Sequence, residues 1–490
     1  MKKNFRLIII LIIILHSSGL ILAQNYNDAL LLSQPGLYSD ARALGMGNAF
    51  ISLSNDFAGV LFNPAGIGLM KRGEVSGGLG LNTFYNSTTF FGNTTNANQT
   101  SVDLNQFGVV YPVPTVRGSL VFAIGYNQTK DFNRIMDFDG FNSGNTSMIQ
   151  NITGVYNSEE PLTNKLGLAY EIRTPPPANS YIKDTTRING MLNQSGTIDH
   201  DGGIGKWSFA SSFEAAKGFF IGGTFNILTG NYQSNSDYWE GDSKNIYGIN
   251  FPLDPADPST RDFQSFYLND IINWDLSGWE AQLGILYNYL DKFRFGASIK
   301  FPSYYNIKEN FLVNAESYFG TGANYSLYPA IDSPIEYEIR TPYEYSFGAS
   351  ASVAMITLAA DMKIMDYTQM EFTDGFSYDY IVQLQNQIDD LMTTAIDYHI
   401  GTEIQIPNLP VFGRAGFMYF QSPFNGDPSE FNKKYVSAGA GAVVDNQFVI
   451  DFAYTYGWWQ DYGDNYGSNV SRTYQDIHVD NMILTLAVRF

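Results

Sequence analysis

Hydrophobic residues recur at every second position through most of this chain, and this pattern constrains the fold more than any other feature. A strand points successive side chains to opposite faces, so period-two alternation describes a sheet with one apolar face. In 292–301, Phe293, Phe295, Ala297, Ile299 and Phe301 fall on one face, with Arg294, Ser298 and Lys300 on the other. In 447–458, Phe448, Ile450, Phe452, Tyr454 and Tyr456 alternate with Val449, Asp451, Ala453 and Thr455. Fourteen segments read this way: 73–84, 103–112, 117–128, 204–215, 217–229, 278–290, 292–301, 343–354, 356–367, 396–405, 411–420, 434–444, 447–458 and 480–490. Most are near the ~9–11 residues of a tilted membrane strand. An even count brings both ends of a bacterial barrel to one side.

The connections follow the same plan. Short turns (113–116, Ala216, Asp291, Met355, 406–410, Asp445-Asn446) alternate with long polar loops (129–203, 230–277, 302–342, 368–395, 421–433, 459–479). Periplasmic turns and extracellular loops of outer-membrane barrels differ in this way. Within one loop, 379–396 carries Ile381, Leu384, Ile388 and Leu391 at spacings that fit a short amphipathic helix or an ordinary packed loop. The last segment places Met482, Leu484, Leu486, Val488 and Phe490 on one face. An apolar terminal edge is an aggregation hazard in a soluble protein but suits the closing strand of a barrel. It also looks like the signal read by the barrel-insertion machinery. A soluble β-sandwich is the alternative fold, and it would carry more Lys, Glu and Thr on its outer faces.

Lys2, Lys3 and Arg6, the apolar run Leu7–Leu15 and Ile21-Leu22-Ala23 read as a secretory signal peptide over 1–23. Its nine apolar residues fall short of the ~20 that span a bilayer. No later segment is long and apolar enough for a membrane helix, so a membrane-crossing mature chain must be a barrel. The net charge of −20 and the lack of a basic stripe argue against nucleic-acid binding. There is no cysteine, so disulfides and thiolate metal sites are excluded. No phosphate loop, HExxH or EF-hand pattern appears, and the four histidines do not assemble with a nucleophile. The expectation is a non-enzyme with no cofactor and no metal.

Residues 24–72 do not alternate and precede the barrel at 73–490, where they are placed to fill its lumen. Their Ala41-Arg42-Ala43-Leu44-Gly45-Met46-Gly47-Asn48-Ala49-Phe50, Asn55-Asp56 and Asn63-Pro64-Ala65-Gly66 resemble the plug signature of the outer-membrane long-chain fatty acid transporter family, which includes toluene and xylene transporters. Arg340-Thr341-Pro342 before Tyr345-Ser346-Phe347-Gly348, and Arg414-Ala415-Gly416-Phe417 with Ser422-Pro423-Phe424, are similar to later pieces of that family. The resemblance implies a 14-stranded antiparallel transmembrane β-barrel with an N-terminal hatch in a Gram-negative outer membrane. It implies passive uptake of hydrophobic small molecules, fatty acids or aromatic hydrocarbons, which land on the loops, reach an inner pocket and leave sideways near the third strand. Asn63, Pro64, Ala65 and Gly66 would lie beside that route. The third strand is 117–128, with Gly118 and Gly125 as candidate distortion points. The alternative is an outer-membrane accessory protein that holds cargo for a secretion system. A general porin is disfavoured by the plug.

A fatty acid needs an apolar groove and a cation for its carboxylate. Lys300 and Arg340, placed by the alternation at the extracellular rim, are the candidates, against the plainer reading of solvated rim charges. Deeper, Glu403 and Arg414 face each other across the 406–410 turn, with Asp361, Lys363, His399 and Asp451 on nearby strands and Arg42 of the plug within reach. This set reads as a charge network that lets the hatch move, or as interior charges that simply need partners.

Overall fold

The computed structural model describes residues 25–37, 39–153, 162–464 and 472–490. The expected signal peptide at 1–23 and part of the loop 459–479 lie outside them. Fourteen strands close into one antiparallel barrel: β1 (Glu74–Phe90), β2 (Asn93–Val113), β3 (Leu120–Asp131), β4 (Asn193–Ala216), β5 (Phe219–Gly241), β6 (Phe263–Tyr289), β7 (Phe293–Lys300), β8 (Glu344–Val353), β9 (Ile356–Asp366), β10 (Thr394–Gln405), β11 (Val411–Phe420), β12 (Lys433–Val444), β13 (Phe448–Asp464) and β14 (Arg472–Arg489). Each strand pairs with the next, and β14 closes on β1 from Glu74↔Arg489 to Thr89↔Tyr474. An Arg489–Glu74 ion pair at 2.9 Å and reciprocal backbone bonds between Gly73 and Phe490 fasten the seam.

The alternation has the expected sense. Leu79, Phe107, Phe209, Leu283, Phe295, Phe452 and Leu484 are all exposed on the outer wall. Their inward neighbours include buried Ser208, Gln282, Ser298, Asp451 and Thr485. Such a continuous exposed apolar surface suits lipid and not water. The short turns are tight: Asp445 and Asn446 both have positive φ (51° and 56°), the conformation a two-residue hairpin of right-handed twist requires.

All fourteen predicted segments overlap these strands, the third beginning in the turn before its strand, and several strands run further. The polar stretch 85–102, between the first two segments, continues the β1–β2 hairpin. Above the membrane the sheet is extended by Arg134–Phe141 on β4, and by Tyr304–Phe319 and Ile331–Arg340 beside β6. The stretch predicted at 379–396 forms a helix over Tyr378–Leu391, with Leu384 and Ile388 buried and Leu391 exposed.

The N-terminal segments lie inside the barrel as helix α1 (Tyr26–Ser33), helix α2 (Ala41–Gly45), helix α3 (Gly59–Phe62) and a 3₁₀ turn over Pro64–Leu69. We label the extracellular helix Tyr378–Leu391 α4. Asn25 and Asp28 form a capping box at α1, and the Asp40 carboxylate accepts from Ala43 N at 2.6 Å at α2.

Candidate functional site

The plug is seated where the wall lacks side chains. Asn63 caps the 3₁₀ turn by accepting from Ala65 N (3.1 Å). Its Nδ2 donates to Ile51 O within the plug and to Ile285 O of β6, both at 3.0 Å. The wall under Asn63, Pro64 and Ala65 is formed by Gly222 and Gly284, direct partners on β5 and β6. A Cβ on Gly284 would lie 2.0 Å from Asn63 Oδ1, and one on Gly222 would lie 2.5 Å from Ala65 N. The Met46-Gly47 turn uses the same device. It rests on Gly401 and Gly416, partners on β10 and β11, where a Cβ would approach Met46 O and Gly47 N to 2.1 Å. The Met46-Gly47 turn and the Asn63-Pro64-Ala65-Gly66 turn are thus each matched to a cross-strand glycine pair, a pattern that a search for lumen-facing glycines could have found. Gly66 itself packs against Ser54, with a Cβ position 2.4 Å from its side chain.

Four of the predicted charges form one ionic cluster between plug and wall. Arg42 donates to both Glu403 oxygens (3.1 and 3.3 Å), to Asn55 Oδ1 (2.8 Å) and to Asp56 Oδ2 (3.0 Å). Arg414, opposite Glu403 in the β10–β11 ladder, donates to Glu403 (2.8 Å) and to Asp451 (2.6 Å). The other three lie elsewhere. Asp361 accepts from Ile51 N at 2.8 Å, and His399 Nδ1 donates to Gly47 O at 3.0 Å, so both grip plug backbone. Lys363 pairs with Glu344 at 3.6 Å.

Above the plug, two chambers share Gln34, Pro35, Gly36 and Phe420 in their walls. The first is lined by Phe84, Tyr367, Phe420, Phe431, Tyr435 and Trp459, with Arg134 and Lys433 facing Asp131 and Asp397. The second has four lysines (Lys130, Lys206, Lys300, Lys363) and two glutamates (Glu280, Glu344) in its walls. Lys206 pairs with Glu280 (2.7 Å) and Lys300 with Glu344 (3.3 Å).

Lys300 therefore lines the inner chamber and does not sit at the extracellular rim, because the sheet continues above it through Tyr304–Phe319. Arg340 pairs with Glu371 outside both chambers. Both predicted carboxylate candidates already have acidic partners. Arg134 and Lys433 have no ion pair among the described residues, and Lys433 lies 5.3 Å over the Trp459 ring. The alternation did not point to them: Arg134 lies in the aperiodic 129–203 stretch, and Lys433 falls one position before the segment 434–444.

The wall is incomplete beside the first chamber. The β2–β3 ladder stops at Gln106↔Asn127, and β3 bulges between Gln128 and Lys130. A recess opens there between Leu104, Phe107, Tyr126 and Trp207, floored by Gly203 and Gly205. Asn133 lines both this recess and the first chamber. Gly118 and Gly125 do not cause the break. Gly118 lies in the preceding turn with φ +67°, and Gly125 sits in regular ladder opposite Gly108, where the two receive the plug's Phe57 ring. The irregular residue is Thr129, whose carbonyl a Cβ on plug residue Gly36 would meet at 1.8 Å.

No family model matches the sequence, and no curated protein matches it. Solved structures do. The toluene transporter TodX of Pseudomonas putida aligns with a TM-score of 0.52 at 15% identity, covering 93% of this chain and 99% of its own. A FadL homologue of Pseudomonas aeruginosa aligns with a TM-score of 0.53 at 11% identity, covering 92% and 98%. The chain shares the fold of the FadL and TodX outer-membrane transporters, a closed 14-strand antiparallel barrel with helical N-terminal segments in its lumen.

Proposed function

We propose that this chain is an outer-membrane channel for passive uptake of hydrophobic molecules, and that its substrates carry an anionic head, as long-chain fatty acids do. The observation that carries the reading is the position of Asn133 between an aromatic inner chamber and a recess in the barrel wall. A ligand held in the chamber by apolar contact leaves through the recess into the lipid, without crossing the plug. Arg134 and Lys433 suit a carboxylate head, since a charge-assisted hydrogen bond is stronger than a neutral one. The Asn63–Ala65 turn and the Arg42 cluster hold the plug beneath the chamber.

The test is uptake of a labelled long-chain fatty acid by cells lacking their own outer-membrane transporter. The wild-type chain is expected to restore uptake. Asn133→Trp, which fills the passage between chamber and recess, is expected to abolish uptake while purified protein still binds the ligand. Full uptake by Asn133→Trp would refute the lateral route. No uptake by a folded wild-type barrel would refute the fatty acid and favour another cargo.

A further inference from the structure

The short turns at the periplasmic end divide into two unlike halves. On one side they carry Arg117 (between β2 and β3), Lys217 (between β4 and β5) and Lys292 (between β6 and β7), and Lys71 and Arg72 lead into β1. All of these side chains are exposed. On the other side the turns 354–355, 406–410 and 445–447 hold no cation, and their one charge is Asp445. Exposed Val353, Met355, Ile406 and Leu409 mark that side instead.

The cationic turns form one continuous arc. Glu214 N donates to Ser119 O at 3.0 Å, which sets the Arg117 turn against the Lys217 turn. Asn288 N donates to Gly218 O at 2.7 Å, which sets the Lys217 turn against the Lys292 turn. Glu74 pairs with Val110, so Lys71 and Arg72 run beside the Arg117 turn. Arg72 ends the arc by donating to Asn446 O at 2.6 Å. Two acids lie within it, each held in its own turn: Glu214 accepts from Gly218 N at 2.7 Å and Asp291 from Asn288 Nδ2 at 2.6 Å. Lys71, Arg117, Lys217 and Lys292 have no ion pair among the described residues. The arc is thus a local excess of positive charge on a chain whose net charge is −20.

Its level in the membrane decides what it meets. On the outer wall just above the arc, Tyr111, Phe213, Tyr287, Tyr289 and Phe293 are exposed. An aromatic girdle of this kind lies where hydrocarbon gives way to headgroups. Lys292 directly precedes Phe293, and long basic side chains extend from an apolar surface toward the phosphates. We infer that Lys71, Arg72, Arg117, Lys217 and Lys292 form a binding surface for anionic phospholipid, which gathers phosphatidylglycerol-type headgroups of the periplasmic leaflet against the β1–β7 half of the barrel. The β8–β13 half, without cations, has no such preference. The wall recess lies in the cationic half, so the arc also sets which lipid surrounds it.

The chain has no cysteine, so a single engineered thiol can carry a fluorophore at a chosen turn. Ala216→Cys, beside Lys217, reports on the arc, and Met355→Cys reports on the opposite side; both positions are exposed. Each labelled barrel is placed in phosphatidylcholine vesicles with a trace of spin-labelled phosphatidylglycerol or spin-labelled phosphatidylcholine. The ratio of quenching by the two lipids measures local headgroup preference. At Ala216→Cys it is expected to favour phosphatidylglycerol about fivefold, the factor for one basic side chain at a charged membrane surface. At Met355→Cys it should stay near unity. Adding Arg117→Gln, Lys217→Gln and Lys292→Gln, all on exposed turns, should bring the first ratio down to the second in a barrel that keeps heat-modifiable migration. Equal ratios at the two reporters overturn the proposal and turn the arc toward a soluble acidic partner. A preference that survives the triple variant overturns it as well. The readout is lipid preference and not transport, so this result is decided separately from the uptake test.

Discussion

Arg42 shows how much one side chain can do at the contact between plug and wall. Its guanidinium holds Glu403 of β10 through two nitrogens and Asn55 and Asp56 of the plug through a third. A planar fork makes these bonds and an ammonium cannot, so Arg42→Lys keeps the charge and loses the geometry. Arg42→Met is expected to cost the plug about 1.5–3 kcal/mol of docking, the range for a hydrogen bond to a charged group. Arg42→Lys should recover less than half of that. Hydrogen exchange across residues 40–56 reads the loss, and unchanged exchange in Arg42→Met would show the cluster to be incidental. The Glu403–Arg414 half of the cluster was legible in the sequence, because period two and a short turn together fix which residues oppose each other. Lys300 and Arg340 both read as rim charges, and the sequence showed neither the inner position of Lys300 nor the neutralisation of the two by Glu344 and Glu371. Those partners come from neighbouring strands and loops whose register no local pattern encodes.

At the level of elements, alternation located the fourteen barrel strands but misjudged their length, and missed the added strands at 134–141, 304–319 and 331–340, for one physical reason. Alternation needs lipid on one side. Above the membrane both faces meet water or loops, so Asn93–Val102 of β2 is polar throughout its first half and reads as loop. The wall break at Thr129 was illegible for a related reason: a bulge is a matter of hydrogen-bond register, and the glycines nearby drew attention to the wrong positions. The glycine pairs are more informative than either. Gly284→Ala would put a methyl 2.0 Å from Asn63 Oδ1 on a rigid barrel wall. The plug turn and not the barrel is expected to yield. The variant should keep heat-modifiable migration and wild-type folding, yet show raised ion conductance in planar bilayers from a displaced plug. An unfolded barrel, or a folded one that stays closed, would mean that the wall and not the turn accommodates the methyl.

The whole molecule carries a net charge of −20, yet the second chamber holds four lysines against two glutamates, and the first offers Arg134 and Lys433 without ion-pair partners among the described residues. Acidic loops outside and cations inside form a gradient that an anionic amphiphile descends only once its apolar tail has brought it past the loops. Screening over roughly 8 Å at physiological ionic strength keeps the outer charge from repelling it far from the surface. A neutral hydrocarbon gains nothing from the inner cations. The double variant Arg134→Gln, Lys433→Gln should therefore weaken binding of a long-chain fatty acid by about 10- to 100-fold, the equivalent of one charge-assisted bond. Binding of the alcohol of the same chain length should be unaltered. Displacement of a fluorescent fatty acid from purified protein measures both. Equal losses for acid and alcohol would place the two side chains in packing and not in head-group recognition. No loss for either would move the substrate class toward neutral aromatic molecules, for which the Phe84, Tyr435 and Trp459 wall suffices.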